Sequence, residues 1–124
     1  MRSETIFVPM IPPSLNKIHA GMHWTKRKRY VDAMHKATQE AAGDMPPFDK
    51  PVEIKAHARL GKGQRAYDLS NYAFAIKLAE DALVQAGILA GDESDKVVRM
   101  VIERPVVDRK QVGGMFLTIT EVGS

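Results

Sequence analysis

The clearest alternation of apolar and polar positions lies between Val52 and Leu60. Val52, Ile54, Ala56, Ala58 and Leu60 fall on one side, Glu53, Lys55, His57 and Arg59 on the other. A period of two sends successive side chains to opposite faces of a strand, so this segment predicts a half-buried strand with a mostly basic outer face. Residues 4–8 (ETIFV) are β-prone and stop at Pro9, and the following IPPSLN is expected to be a rigid loop. From Thr25 the period changes. Tyr30, Ala33, Met34, Ala37 and Ala41 recur at helical spacing until Gly43, Pro46 and Pro47 end the pattern, predicting a first helix with Thr25 as N-cap. A glycine-bearing loop, GKGQR (61–65), leads to an alanine-rich second helix from about Leu69 to Ala86, closed by Gly87. AGDESD (90–95) is an acidic turn, and Val97–Arg104 and Met115–Glu121 read as two strands expected to pair as a hairpin. The order β-α-β-α-β-β predicts one α+β domain over residues 1–124, a mixed sheet with two helices packed on it.

Composition narrows the setting. The 124 residues suit one hydrophobic core, and no apolar run approaches the ~18 residues of a membrane span. The absence of cysteine excludes disulfides and thiolate metal sites and fits a reducing cytoplasm, and MRSETIFVPM lacks the features of an export signal. The net charge of +3 is modest, but its distribution is uneven. Lys17, Lys26, Arg27, Lys28, Arg29 and Lys36 face only Asp32 within residues 17–36, and Lys55, Arg59, Lys62 and Arg65 face no acid within 55–65. Residues 80–95 hold Glu80, Asp81, Asp92, Glu93 and Asp95 without a cation. Phosphates and metal ions need opposite signs of charge, so such segregation points to a polyanion held by the basic segments and a divalent cation held by the acids.

Individual residues carry the chemistry further. Lys26 to Arg29 at the start of a helix oppose its dipole, at about 0.3–1 kcal/mol each, and the placement is explained if they and Lys17 contact phosphate. Trp24 and Tyr30 read as packing residues. His19 and His23 have the i, i+4 spacing of half a zinc site but no cysteine, and bonding to phosphate or backbone is expected instead. His35 and His57 have no partner legible in sequence. Asp68 precedes the second helix and Asp92, Glu93 and Asp95 follow it, so a return of the chain along the sheet would join two acidic clusters into a hard-oxygen site for Mg²⁺. The competing reading is that Asp68 or Ser70 caps the helix and the turn is only polar. Lys77 shares a face with Ser70, Ala73 and Asp81, and serves either a transition-state phosphate or an ion pair with Asp81.

Taken in order, PPSLN (12–16), the basic strand and loop before YDLSN (67–71), KLAEDALVQAG (77–87), GDES (91–94) and LTITE (117–121) resemble the RusA-type Holliday junction resolvases, or crossover junction endodeoxyribonucleases. The resemblance spans almost the whole chain. It implies a homodimeric, Mg²⁺-dependent (Mn²⁺ also accepted) nuclease that nicks two opposing strands of a four-way DNA junction during recombination and repair. Such proteins occur in bacterial cytoplasm and are often encoded by phages and prophages. Carried residue by residue, it assigns Asp68, Lys77 and Asp92 as catalytic and Asp68 and Asp92 as metal ligands, with Asn71 and Glu93 as further ligands. Lys17, Lys26, Arg27, Lys28, Arg29, Lys62 and Arg65 become the DNA contacts. The family pattern D-x-D-N is broken at Ser70, which removes one expected acid, and about three extra residues separate Asn71 from Asp81. A catalytically weak or inactive junction-binding protein is therefore the alternative, and a small-ligand or protein-interaction module of the same build is the third.

Overall fold

The computed structural model describes residues 1–123. Its elements are β1 (Ser3–Val8), α1 (Leu15–His19), α2 (Trp24–Ala42), β2 (Val52–Leu60), a 3₁₀ turn (Leu69–Tyr72) running into α3 (Ala73–Gln85), β3 (Val97–Ile102), β4 (Val106–Val107) and β5 (Gly114–Glu121). The expected α+β domain with a mixed sheet and two long helices is what forms. The sheet order is β1-β5-β2-β3, with β4 also beside β2; β5 is antiparallel to both neighbours and β2 parallel to β3 and β4.

The alternation of β2 does what its period predicts: Val52, Ile54, Ala56, Ala58 and Leu60 are all buried. They line up with Met115, Leu117 and Ile119 of β5, which in turn face Ile6 and Val8 of β1. This apolar face is covered by α2 and α3, which pack on each other, with Gln39 Nε2 donating to Ala82 O at 3.2 Å. Helix α3 packs on α2 and is buried around most of its circumference, its alanines allowing the close approach. Lys77 is exposed and Asp81 half-buried, four residues apart on the stripe that stays open. The helix ends where Gly87 takes φ +77°, so that its N–H reaches Val84 O (3.0 Å) and the Ile88 N–H reaches Leu83 O (2.9 Å). A side chain at 87 would strain this positive-φ turn, and the turn buries Ile88 beside Leu83.

The expected hairpin of the last two strands does not form. β3 pairs in parallel with β2, and β5 is inserted between β1 and β2. Parallel neighbours require a crossover, and α3 supplies it between β2 and β3. The burial patterns agree with the positions: β5 buries alternate residues in the middle of the sheet, whereas β3 leaves Val98 and Met100 exposed at its edge.

Two short elements escaped the sequence pattern. Within the presumed rigid loop, α1 is started by Ser14, whose side chain accepts from the Lys17 N–H at 3.2 Å. β4 is a two-residue contact between Val106–Val107 and Arg59–Leu60. The N-cap of α2 is His23 rather than Thr25. Its Nδ1 accepts from the Thr25 N–H at 3.3 Å and lies 2.7 Å from Thr25 Oγ1, which gives this histidine the backbone role rather than a metal-like one.

Candidate metal and nucleic-acid site

Helix α3 places Lys77, Glu80 and Asp81 together by its own periodicity, because residues three and four apart are neighbours on a helix surface. Lys77 Nζ lies 3.3 Å from Glu80 Oε1 and 3.1 Å from Asp81 Oδ1. The third partner comes from elsewhere. After Gly87 the chain turns back towards β3, and Asp92 from this acidic segment brings Oδ2 to 3.0 Å from the same ammonium. Carboxylate oxygens of Glu80, Asp81 and Asp92 all lie within 4.8 Å of one another. The two readings of Lys77 thus converge, since its ion pair with Asp81 is one edge of a larger cluster.

The electrostatics follow from position. Hydrogen bonds that Lys77 donates to Asp92 and Asp81 raise its pKa well above the ordinary value, so the ammonium keeps its charge through neutral pH. The same bond, with its Coulombic attraction, holds the Asp92 carboxyl below the usual carboxylate range. Glu80 behaves oppositely. It is only 4% exposed, and burial raises its pKa despite the nearby ammonium. The donor set is hard oxygen, it is compact, and it already holds a cation in the form of Lys77. These are properties that fit Mg²⁺ or Mn²⁺, which take carboxylates and retain water. Glu80, Asp81 and Asp92 are the residues able to hold such an ion.

The other expected ligands stand differently. Asp68 immediately precedes the 3₁₀ turn, is exposed, makes no side-chain cap bond and is not among the clustered carboxylates. Neither Asp68 nor Ser70 therefore acts as the expected side-chain cap. Asn71 is buried, and its Oδ1 accepts the Asn16 N–H at 2.8 Å, so this oxygen is engaged within the fold. Its role is to anchor α1. Tyr67 supports the same contact, donating its hydroxyl to Pro12 O at 3.2 Å while its ring lies 5.0 Å from that of Tyr72. PPSLN and YDLSN, far apart in sequence, are thereby bound to each other. Glu93 is exposed and folds over Gly91, where a Cβ would fall on its carboxylate. Its backbone carbonyl accepts the N–H groups of Lys96 (2.8 Å) and Val97 (3.0 Å), which shapes the turn carrying Asp92. Glu80 was legible in sequence only as part of an acidic block. The i, i+3 spacing from Lys77 was the available signal, but its burial was not.

The expected DNA-contacting basic residues lie on other elements, on α1, α2 and the loop after β2. Lys26, Arg27, Lys28 and Arg29 occupy the first two turns of α2 and are all exposed; Lys28 pairs with Asp32 at 2.8 Å, and the other three have no ion-pair partner among the described residues. Lys17, Lys62 and Arg65 are exposed as well. Trp24 is not a packing residue: it is 69% exposed, with its ring 5.9 Å from that of His23. Beside this cationic turn it offers a flat apolar surface to a ligand. Among the described residues no helix is long and apolar enough to cross a membrane. Compared with known proteins, the sequence matches no family model and finds no significantly similar curated relative.

Proposed function

We propose that this protein is a Mg²⁺-dependent endodeoxyribonuclease that resolves four-way DNA junctions, with its metal centre formed by Glu80, Asp81 and Asp92 around Lys77. The observation that carries the reading is the approach of Asp92 to Lys77 across the α3–β3 connection, at 3.0 Å. The RusA-like resemblance had selected this lysine and this acid from motif positions alone. Their meeting in space is independent of that choice. The acid missing at Ser70 is offset by Glu80 and Asp81, which helix α3 supplies beside the same ammonium.

A divalent ion bound there would polarise a phosphoryl oxygen and lower the pKa of a bound water. The remaining work falls to the chain's own groups. Lys77 keeps a positive charge through neutral pH and is available to offset charge that develops on the phosphate. The buried Glu80 and the more exposed Asp81 and Asp92 together hold the lysine in place. Lys26, Arg27 and Arg29 carry no ion pair among the described residues and are available to grip DNA phosphates. A homodimer accounts for two symmetric cuts, and the exposed Val98, Met100, Val106 and Val107 along the β3–β4 edge support pairing with a second copy.

The test incubates the protein with Mg²⁺ and either a mobile four-way junction or a linear duplex of the same sequence. Paired incisions in the junction are expected, abolished by Asp92→Asn and strongly reduced by Glu80→Gln. Asp68→Asn is the informative comparison: loss of cutting equal to that of Asp92→Asn would return the metal centre to the position assigned by the motif. Tight binding of the junction without incision at any Mg²⁺ or Mn²⁺ concentration would favour a junction-binding protein that does not cut.

A further inference from the structure

Both long helices cover one face of the sheet, and among the described residues no helix covers the other. The uncovered face has a definite chemistry. Along the β1–β5 pair, Ser3 and Thr120 share a hydrogen bond of 2.8 Å and Thr5 and Thr118 one of 2.9 Å. Next in register stand Phe7 and Phe116, ring centroids 4.8 Å apart. From β2, His57 stacks on Phe116 at 5.0 Å with 19° between the planes. The Arg59 guanidinium lies 4.5 Å from the centre of the Phe7 ring and 5.3 Å from that of Phe116. Gly114, opposite Arg59 in the register, makes room for this arrangement, because a Cβ there would meet the Phe7 ring. His57, Arg59, Phe7 and Phe116 all remain partly accessible.

Cations border these π surfaces on both sides. Lys55, two residues from His57 on the same face, is exposed. Beyond Arg59, which donates to Val112 O through Nε (3.0 Å) and Nη2 (2.8 Å), the face opens into a cleft of about 510 Å³ walled partly by Val112. Lys62, Arg109 and Lys110 line this cleft, and no acid does. Arg109 is committed to the carbonyls of Gly61 and Gln64, which leaves Lys62 and Lys110 for a ligand. Glu53, an acid on this face of β2, is paired with Arg99 at 2.6 Å.

Flat π groups flanked by unpaired cations complement a polymer that presents aromatic faces and regularly spaced anions. In duplex DNA the base faces are stacked away, whereas a single strand exposes them. We propose that the helix-free face and the adjoining Lys62–Lys110 cleft bind a single strand of nucleic acid. Its bases lie against His57, Phe116 and the Arg59 guanidinium, and its phosphates lie at Lys55, Lys62 and Lys110. From Lys55 to Arg59 the strand rises roughly 13 Å, room for a few nucleotides before the cleft begins. This surface faces away from α3 and its acids, so it does not depend on the metal-centre reading.

The experiment is a fluorescence-anisotropy titration of a short labelled oligothymidylate in EDTA at low salt, where cleavage cannot consume the probe. His57→Ala is expected to weaken binding roughly five- to tenfold, the scale of one lost base–aromatic stack. Lys62→Glu with Lys110→Glu is expected to weaken it by tenfold or more and to reduce the slope of log affinity against log salt by about 1.4. Lys50→Glu, at the opposite end of β2, is the charge control and leaves affinity within about twofold. Absence of wild-type binding overturns the proposal. So does unchanged affinity in both face variants, including the case where His57→Ala instead converts a dimer to a monomer in light scattering and thereby marks a protein interface. Junction incision without oligothymidylate binding overturns this proposal alone; oligothymidylate binding without incision overturns only the nuclease reading.

Discussion

The acidic cluster on α3 and the basic turn that opens α2 are both concentrations of charge, yet they are organised on opposite terms. Around Lys77 three carboxylates and one ammonium neutralise one another in part, and each lies within 3.3 Å of a partner. Along Lys26 to Arg29 only Lys28 is paired, and the others project into solvent from a helix end whose dipole disfavours them. The first arrangement fixes geometry, which suits a reacting group. The second keeps cations available for an external anion, at a small cost in stability.

Substitutions separate these two kinds of site by what they change. The largest effect is expected from Lys77→Met, which leaves three carboxylates without their common counter-ion: junction cleavage falls on the order of a hundredfold, measured under single-turnover conditions. Equal cleavage by this variant would reduce the lysine to a structural ion pair. Next, Lys26→Glu, Arg27→Glu and Arg29→Glu combined should weaken junction binding by at least tenfold and flatten its salt slope by about 2.7, the value for three lost phosphate contacts. The melting temperature should stay the same or rise slightly, because acids suit a helix N-terminus. A large loss of stability with unchanged DNA affinity would remove these residues from the DNA surface.

Smaller effects test the packing behind the sites. Asn71→Ala removes the acceptor for the Asn16 N–H and should cost about 1–3 kcal/mol, read by urea unfolding, with faster proteolysis around Pro12–Asn16. Glu80→Gln is expected to act in the stabilising direction at neutral pH. Burial raises the Glu80 pKa, so the folded state binds this proton more tightly than the unfolded state does. Its stabilising contribution is present in full below the unfolded pKa and is lost as pH rises through the folded pKa. The glutamine variant should therefore melt a few degrees higher near pH 7.5 and lose that advantage in the acid range. A lower melting temperature at pH 7.5 would mean that the bond to Lys77 outweighs desolvation. Asp92 has the opposite sign, because its depressed pKa contributes stability above the carboxylate range that is lost as pH falls through it.

Much of the fold was legible because each long element carries its own period. Val52–Leu60 forms the strand its alternation specifies, and the helical spacing after Thr25 and the alanine-rich run before Gly87 form α2 and α3. Strand pairing was not legible in the same way. β3 and β5 are both apolar enough to pair with each other, and the choice depends on α3 acting as a crossover and on which strand can be buried on its helix-facing side. Short elements were missed because five residues behind two prolines leave no period to detect, and the cap at Ser14 is a single local bond. At the candidate site, Lys77 and Asp92 were identified by motif. Glu80 looked like one more surface acid, since burial of a carboxylate depends on neighbours in other elements.

By itself, the sequence determined where the long helices and strands form, that charges of opposite sign are segregated, and that Lys77 and Asp81 share one side of a helix. All of these follow from spacing along a regular backbone. Only the tertiary structure decided that Asp92 joins them, that Asp68 stands outside their cluster and that Asn71 spends its oxygen on Asn16. These outcomes depend on the return of the chain from α3 to β3 beside β2 and on the docking of α1 against the 3₁₀ turn. Neither contact has a local signature, because each is fixed by which surfaces the whole chain can bury together.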